Sequence, residues 1–163
     1  MPAKESFRVY VTKDYLKFSA AHFIAYKGFR EALHGHNYRV SIAAQGELGP
    51  QGYVVDFGVV KRIARRLCDD LDETMLIPVH SDCLTVREED GVVIVRYERD
   101  EFRFPRGDVT FLPIVHTSVE ELARYLTGEL KRGLAAEGVT SVTTVEVGVE
   151  ESFGQAAYYR QES

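Results

Sequence analysis

His22, in Phe18-Ser-Ala-Ala-His22, and the pair His34 and His36 around Gly35 are three imidazoles at a spacing that suits a metal ion. On an extended strand, residues i and i+2 point to the same face, so His34 and His36 can converge on one ion while Gly35 turns away. His22 has only to come alongside on a neighbouring strand. Three neutral imidazoles satisfy a borderline-soft divalent ion such as Zn²⁺ and leave a fourth tetrahedral position for water or substrate, the pattern of a catalytic site. A histidine pair across one glycine also occurs on solvent-facing strand edges, and it is the third histidine, a short connection away, that favours metal. A storage or purely structural ion fits least, because three ligands leave its shell incomplete. His80 and His116 stand apart and read as loop or cap residues.

The elements that must position these side chains follow from periodicity. From Ser6 to Phe18, Phe7, Val9 and Val11 alternate with Arg8, Tyr10 and Thr12, which predicts a long strand, or two with a bend at Lys13-Asp14. Asn37 to Glu47 repeats the alternation through Tyr38, Val40, Ile42 and Ala44, so the two segments form a hairpin through the histidine loop. After the Gly49-Pro-Gln-Gly52 turn, Val60, Ile63, Ala64, Leu67 and Leu71 have helical period, with Asp56 placed to cap and an end near Asp72. Asp90-Gly91 between β-branched runs predicts a hairpin within 84–105. Ser118-Val-Glu-Glu121 is a capping box for a second helix that ends around Gly133 or Gly138. Strands follow over Val142 to Glu150 and Gln155 to Arg160. The order gives an α+β domain spanning 1–163, with a mainly antiparallel sheet covered by helices on one face. The other face has to be covered too, and packing against further subunits is one solution.

The chain has 163 residues, 45% of them hydrophobic, and a net charge of −5, which suits one domain with a full core. Its densest basic cluster, Lys61-Arg62 with Arg65-Arg66, lies at helical spacing as a solvated face, so nucleic-acid binding by bulk charge is disfavoured. No run approaches a membrane span, and the N-terminus lacks the pattern of a signal peptide. Cys68 and Cys83 form no Cys-x-x-Cys motif, and Cys68 reads as packing. A soluble, cytoplasmic protein in a reducing compartment is expected.

Phe18-Ser-Ala-Ala-His22, His34-Gly-His-Asn-Tyr38, Val55-Asp-Phe57, Leu71-Asp72, Thr117-Ser-Val-Glu120 and Val149-Glu-Glu-Ser152, in this order over nearly the whole chain, resemble the 6-pyruvoyl-tetrahydropterin synthase and 6-carboxytetrahydropterin synthase family. The resemblance implies the tunnelling fold, β-β-α-α-β-β with a four-stranded antiparallel sheet and two helices on one face, here with an inserted hairpin. It also implies Zn²⁺ on His22, His34 and His36, trimeric barrels usually paired into a hexamer, and an active site at a subunit boundary. The family's pterin anchor, a glutamate on the penultimate strand, matches Glu151, with Glu150 as the alternative on the opposite face; a carboxylate there accepts two parallel hydrogen bonds from a pterin. Ser118 caps its helix and is a candidate to touch the pterin as well. Lys27 and Arg30 are candidates to receive a triphosphate.

Two departures from the family pattern bear on the reaction. The usual cysteine base falls at Arg30, and Glu31 stands three residues before His34. This resembles the branch in which glutamate replaces cysteine and 7,8-dihydroneopterin triphosphate is cleaved to 6-hydroxymethyl-7,8-dihydropterin. Where the family has an Asp-His relay, this chain has Asp72-Glu73, and His116, near the pterin pocket in the family, is a candidate to return the missing histidine. The resemblance therefore implies a zinc-dependent lyase with Glu31 as base and Asp72, Glu73 or His116 moving protons. The alternatives are 6-carboxy- or 6-pyruvoyl-tetrahydropterin synthesis with loss of triphosphate, and a catalytically impaired protein that binds zinc and pterin.

Overall fold

A computed structural model describes residues 5–163. The N-terminal alternation forms β1 (Phe7–His22). After the two-residue strands β2 (Ala25–Tyr26) and β3 (Phe29–Arg30), the chain returns as β4 (His34–Gly46). β1 and β4 pair antiparallel from Phe7↔Gly46 to His22↔His34, with a register shift between Thr12 and Lys17 that contains the expected bend. The shift inserts an odd number of extra residues into β1 and so reverses which face successive side chains take. Val11 is buried before it; Leu16, Phe18, Ala20 and His22 are buried after it.

α1 (Phe57–Asp69) begins at Asp56, whose Oδ1 accepts the Gly58 N–H at 2.6 Å. It ends before Asp72 because the N–H groups of Asp70 and Leu71 close onto the carbonyls of Arg66 and Cys68. Then come β5 (Thr74–Pro78), β6 (Thr85–Glu89), β7 (Val92–Tyr97), β8 (Asp100–Pro105) and β9 (Val109–Leu112). α2 (Val119–Ala136) is capped by Ser118, and β10 (Val142–Ser152) and β11 (Gln155–Glu162) complete the chain. Gly133 lies inside α2, where a Cβ would stand 2.8 Å from Ile63 Cγ2 of α1, so it is a packing glycine; Gly138, at φ +75°, takes the turn beyond the helix.

The expected antiparallel sheet is present as β11-β10-β4-β1, and β5 and β9 widen it beyond β1 as short parallel strands. Both helices pack on one face, where Val60, Ile63 and Leu67 of α1 and Leu122, Leu126 and Leu130 of α2 cover Phe18, Tyr38, Val40 and Ile42. Each such aliphatic side chain contributes about 1.5–3 kcal/mol by leaving water. The opposite face carries a broad depression of about 660 Å³ lined by Tyr10, Arg39, Glu150 and Tyr158, among others. The insertion is a three-stranded sheet, β6-β7-β8, one strand more than a hairpin. Its first turn is the expected one, with Asp90 and Gly91 both at positive φ. Val93, Val95 and Tyr97 of β7 build a second core with Phe23, Ala25, Met75 and Ile77, so the insertion rests on the segment between His22 and His34.

Candidate metal centre

Antiparallel pairing sets His22 opposite His34 and Ala20 opposite His36, which brings the three imidazoles together on the helix side of the sheet. Ring centres are 4.7 Å apart for His22 and His34, 5.2 Å for His22 and His36, and 4.9 Å for His34 and His36. One nitrogen from each lies within 4.8 Å of the others, close enough for small rotations to bring all three to one ion. His22 is fully buried, and its Nδ1 lies 3.0 Å from the Thr117 carbonyl and 3.1 Å from the Thr117 hydroxyl. His34 Nδ1 lies 2.7 Å from the Ala32 carbonyl. A carbonyl only accepts, so in both rings Nδ1 carries the proton and Nε2 keeps the lone pair a metal requires. His22 Nε2 is buried with no hydrogen-bond partner among the described residues. An orphaned buried nitrogen beside two further imidazoles is what a divalent metal ion fits. Burial first, and then the neighbouring His34, push the His22 imidazolium down to about 4, against the opposing pull of the Thr117 bond. The ring is therefore neutral near pH 7, the form that ligates.

Glu31 sits beside this set, and its charge is felt at both His22 and Tyr38. Its Oε2 accepts the Ile24 N–H at 2.9 Å, and its own N–H donates to the Ile24 carbonyl at 2.9 Å. Glu151 lies where β10 shifts register, between Glu150 and Ser152, and its carboxylate is 3.8 Å from His36 Nε2. Glu150 lines the depression on the opposite face, as alternation requires.

The other expected residues are placed less directly. Asp72 Oδ1 accepts the Ser19 N–H at 2.7 Å, and the Glu73 N–H donates to the Ser19 carbonyl at 2.7 Å, so this turn clasps β1. Glu73, at φ +56°, borders an open depression shared with His36, Asn37 and Asp108. His116 is outside the triad; its N–H and Nδ1 both meet Glu121 Oε2, at 2.6 and 3.2 Å, in the entry turn of α2. Ser118 Oγ accepts the Glu121 N–H at 3.3 Å, as a cap does. Lys27 is exposed on the β2–β3 turn. Arg30 is engaged by Asp100 and by the Glu31 carbonyl.

Sequence reasoning missed the groups that orient the triad. The Ala32 and Thr117 carbonyls leave no trace in residue type, although Thr117 stands within a quoted motif. It also missed the Tyr38 hydroxyl, which is buried without a partner among the described residues while its ring lies 5.5 Å from His36 and 6.0 Å from His22. Burial first, then Glu151 and Glu31, raises that phenol well above its usual range.

A family model described as 6-pyruvoyl tetrahydropterin synthase matches residues 10–162. A Methanocaldococcus jannaschii protein provisionally named 6-carboxy-5,6,7,8-tetrahydropterin synthase is 33% identical over 147 residues, covering 90% of each chain. The crystal structure of 6-pyruvoyl tetrahydropterin synthase from Plasmodium vivax aligns with a TM-score of 0.93 at 36% identity, over 98% of this chain and 100% of that one. A variant of that enzyme with a catalytic glutamate replaced by alanine aligns with a TM-score of 0.93 at 35% identity, again over 98% and 100%.

Proposed function

This chain belongs to the 6-pyruvoyl tetrahydropterin synthase family of lyase-type pterin synthases, and from that premise we propose that it is a zinc-dependent lyase acting on 7,8-dihydroneopterin triphosphate, with Glu31 as base and 6-hydroxymethyl-7,8-dihydropterin as product. The observation that carries this reading is the Glu31 carboxylate beside the histidine triad, tied at Oε2 to the Ile24 N–H. Neither cysteine stands there: Cys68 is buried in the α1 core, and Cys83 packs near Ser81. His22, His34 and His36 would hold Zn²⁺, which supplies Lewis acidity that makes the substrate's side-chain hydroxyls easier to deprotonate.

Glu31 takes the proton of the side-chain hydroxyl farther from the ring. That O–H electron pair becomes a carbonyl, the bond between the two carbinol carbons breaks, and its electrons pass into the ring imine. Protonation at the carbon next to the ring then yields the hydroxymethyl pterin, and the two-carbon aldehyde leaves with the triphosphate. Glu151 accepts two parallel hydrogen bonds from the pterin's ring amide and exocyclic amine. Burial of His22 and its Thr117 bond fix the orientation of that ring. The sheet face opposite the helices, which bears the exposed Tyr10 and Tyr158, is the proposed contact through which copies assemble as a dimer of trimers.

Zinc-loaded protein incubated with 7,8-dihydroneopterin triphosphate, beside Glu31→Ala and His34→Ala, tests this by mass spectrometry of the pterin product. A 6-hydroxymethyl pterin that disappears in both variants is expected. The name of the archaeal relative favours a second reading, in which a 6-carboxy product forms instead. Tight pterin binding without turnover would point to an impaired binding protein.

A further inference from the structure

Each of the three guanidinium nitrogens of Arg30 already donates a hydrogen bond. Its Nε and Nη2 donate to Asp100 Oδ2 at 3.1 and 2.7 Å, and its Nη1 donates to the Glu31 carbonyl at 2.8 Å. The guanidinium lies 5.0 Å from the Phe102 ring centre and 5.6 Å from that of Phe23, and these two rings pack at 4.9 Å. Asp100 and Phe102 belong to β8 of the inserted sheet, whereas Phe23 and Arg30 belong to the segment between His22 and His34. A second tie joins the same two bodies, since the Tyr97 hydroxyl of β7 donates to the Tyr26 carbonyl at 3.1 Å.

We infer that the Arg30–Asp100 clamp is a positioning device by which the inserted sheet aims the Glu31 carboxylate; this inference rests on Glu31 being the base. Glu31 is thereby gripped through its N–H by Ile24, through its carbonyl by Arg30 and through Oε2 by the Ile24 N–H. A base carried on a loop needs such support, because small misplacements cost rate steeply. Stability is a poor reason for the clamp: the Asp100 side chain is 53% exposed, and ion pairs of that kind contribute little. The flat fork of arginine suits a task that bridges one carboxylate oxygen, one carbonyl and two ring faces, which a lysine cannot repeat.

Asp100→Asn and Arg30→Lys, each made in the natural chain and in Glu31→Ala, test the inference by steady-state kinetics on 7,8-dihydroneopterin triphosphate and by hydrogen–deuterium exchange of peptides spanning 23–31. Both changes are expected to lower kcat by about ten- to a hundredfold with KM for the triphosphate nearly unchanged. Exchange at the Ile24 and Glu31 amides should quicken. In the Glu31→Ala background neither change should lower the residual rate further, because both act through that carboxylate. A raised KM with kcat kept would overturn the inference and make Arg30 a triphosphate ligand. Unchanged exchange would overturn it too. Full turnover by Glu31→Ala alone would defeat the base assignment; faster exchange in the clamp variants without loss of rate would then overturn the positioning role while leaving the clamp as a structural tie.

Discussion

Thr117→Val keeps the shape of a fully buried side chain and deletes one hydroxyl, so it asks which group holds His22. The Nδ1 of His22 carries a single proton, shared between the Thr117 carbonyl at 3.0 Å and the Thr117 hydroxyl at 3.1 Å. The carbonyl survives the substitution and still fixes the tautomer, with Nε2 toward the ion. What is lost is one arm of a shared bond. A neutral hydrogen bond contributes about 0.5–1.5 kcal/mol net, which at about 1.4 kcal/mol per tenfold corresponds to a two- to tenfold loss of zinc affinity. The hydroxyl also donates weakly to the Phe23 carbonyl at 3.5 Å. A stability loss of about 1 kcal/mol should therefore accompany the affinity change, lowering Tm by about 2–4 °C in a chain of this size. Zinc titration against a chromophoric chelator reads the first quantity, calorimetry reads the second, and the spectrum of the Co²⁺-substituted protein reports whether three imidazoles still bind. A loss near a hundredfold, the upper range for removing an outer-shell partner, would refute the reasoning by making the hydroxyl the orienting group. Failure of the unaltered protein to bind zinc would remove the metal reading altogether.

Two further outcomes are expected. Burial first, and then the charges of Asp69 and Asp72, push the Cys68 thiol up to about 12, so at pH 8 it stays protonated and unreactive; iodoacetamide on the folded protein should label the partly exposed Cys83 and spare Cys68, and mass spectrometry showing equal labelling would refute this. In Gly46→Ala the new Cβ would land on the Ser141 carbonyl oxygen, backbone against backbone where β10 shifts register, so something must move. A cost of about 1–3 kcal/mol is expected, lowering Tm by roughly 2–12 °C by calorimetry, whereas an unchanged Tm would mean that the strand gives way freely.

The parts of this molecule legible in its sequence are those where one physical rule acts alone. Strand alternation announced β1 and β4 and, with imidazole chemistry, the triad. Side-chain oxygens at Asp56 and Ser118 announced two helix starts. β5 escaped because Met75, Leu76 and Ile77 are all buried, so the run has no period to read. β9 escaped because four residues are too few to carry one. The capping box at Ser118 was half right: Ser118 accepts the Glu121 N–H, but the Glu121 carboxylate turns to the N–H groups of Val115 and His116. The sequence offered Arg30 as a triphosphate candidate and gave no sign of its Asp100 partner, seventy residues away in a segment whose docking no local pattern encodes.

The face on which the histidine ligands sit is decided by one irregularity, in β1. Had β1 kept one register along its whole length, the side chains in phase with Val11 would have stayed on the helix side, and His22, out of phase with Val11, would have faced the depression beside Tyr10 and Arg39. The shift between Thr12 and Lys17 reverses that phase and sends His22 inward, where Thr117 ahead of α2 can hold it. β10 needs no such reversal: Val145, Val147 and Val149 are buried in the helix-side core and Glu150 lines the opposite depression, so plain alternation already turns Glu151 to the helix side. Glu150 stays paired with Arg39, while Glu151, at the shift before Ser152, comes within reach of His36. Ligands and anchor meet because a phase reversal in β1, ahead of the regularly paired run from Lys17 to His22, is met by unbroken alternation in β10 up to Glu150. A sequence scored as one regular strand over Phe7 to His22 would put His22 on the wrong face.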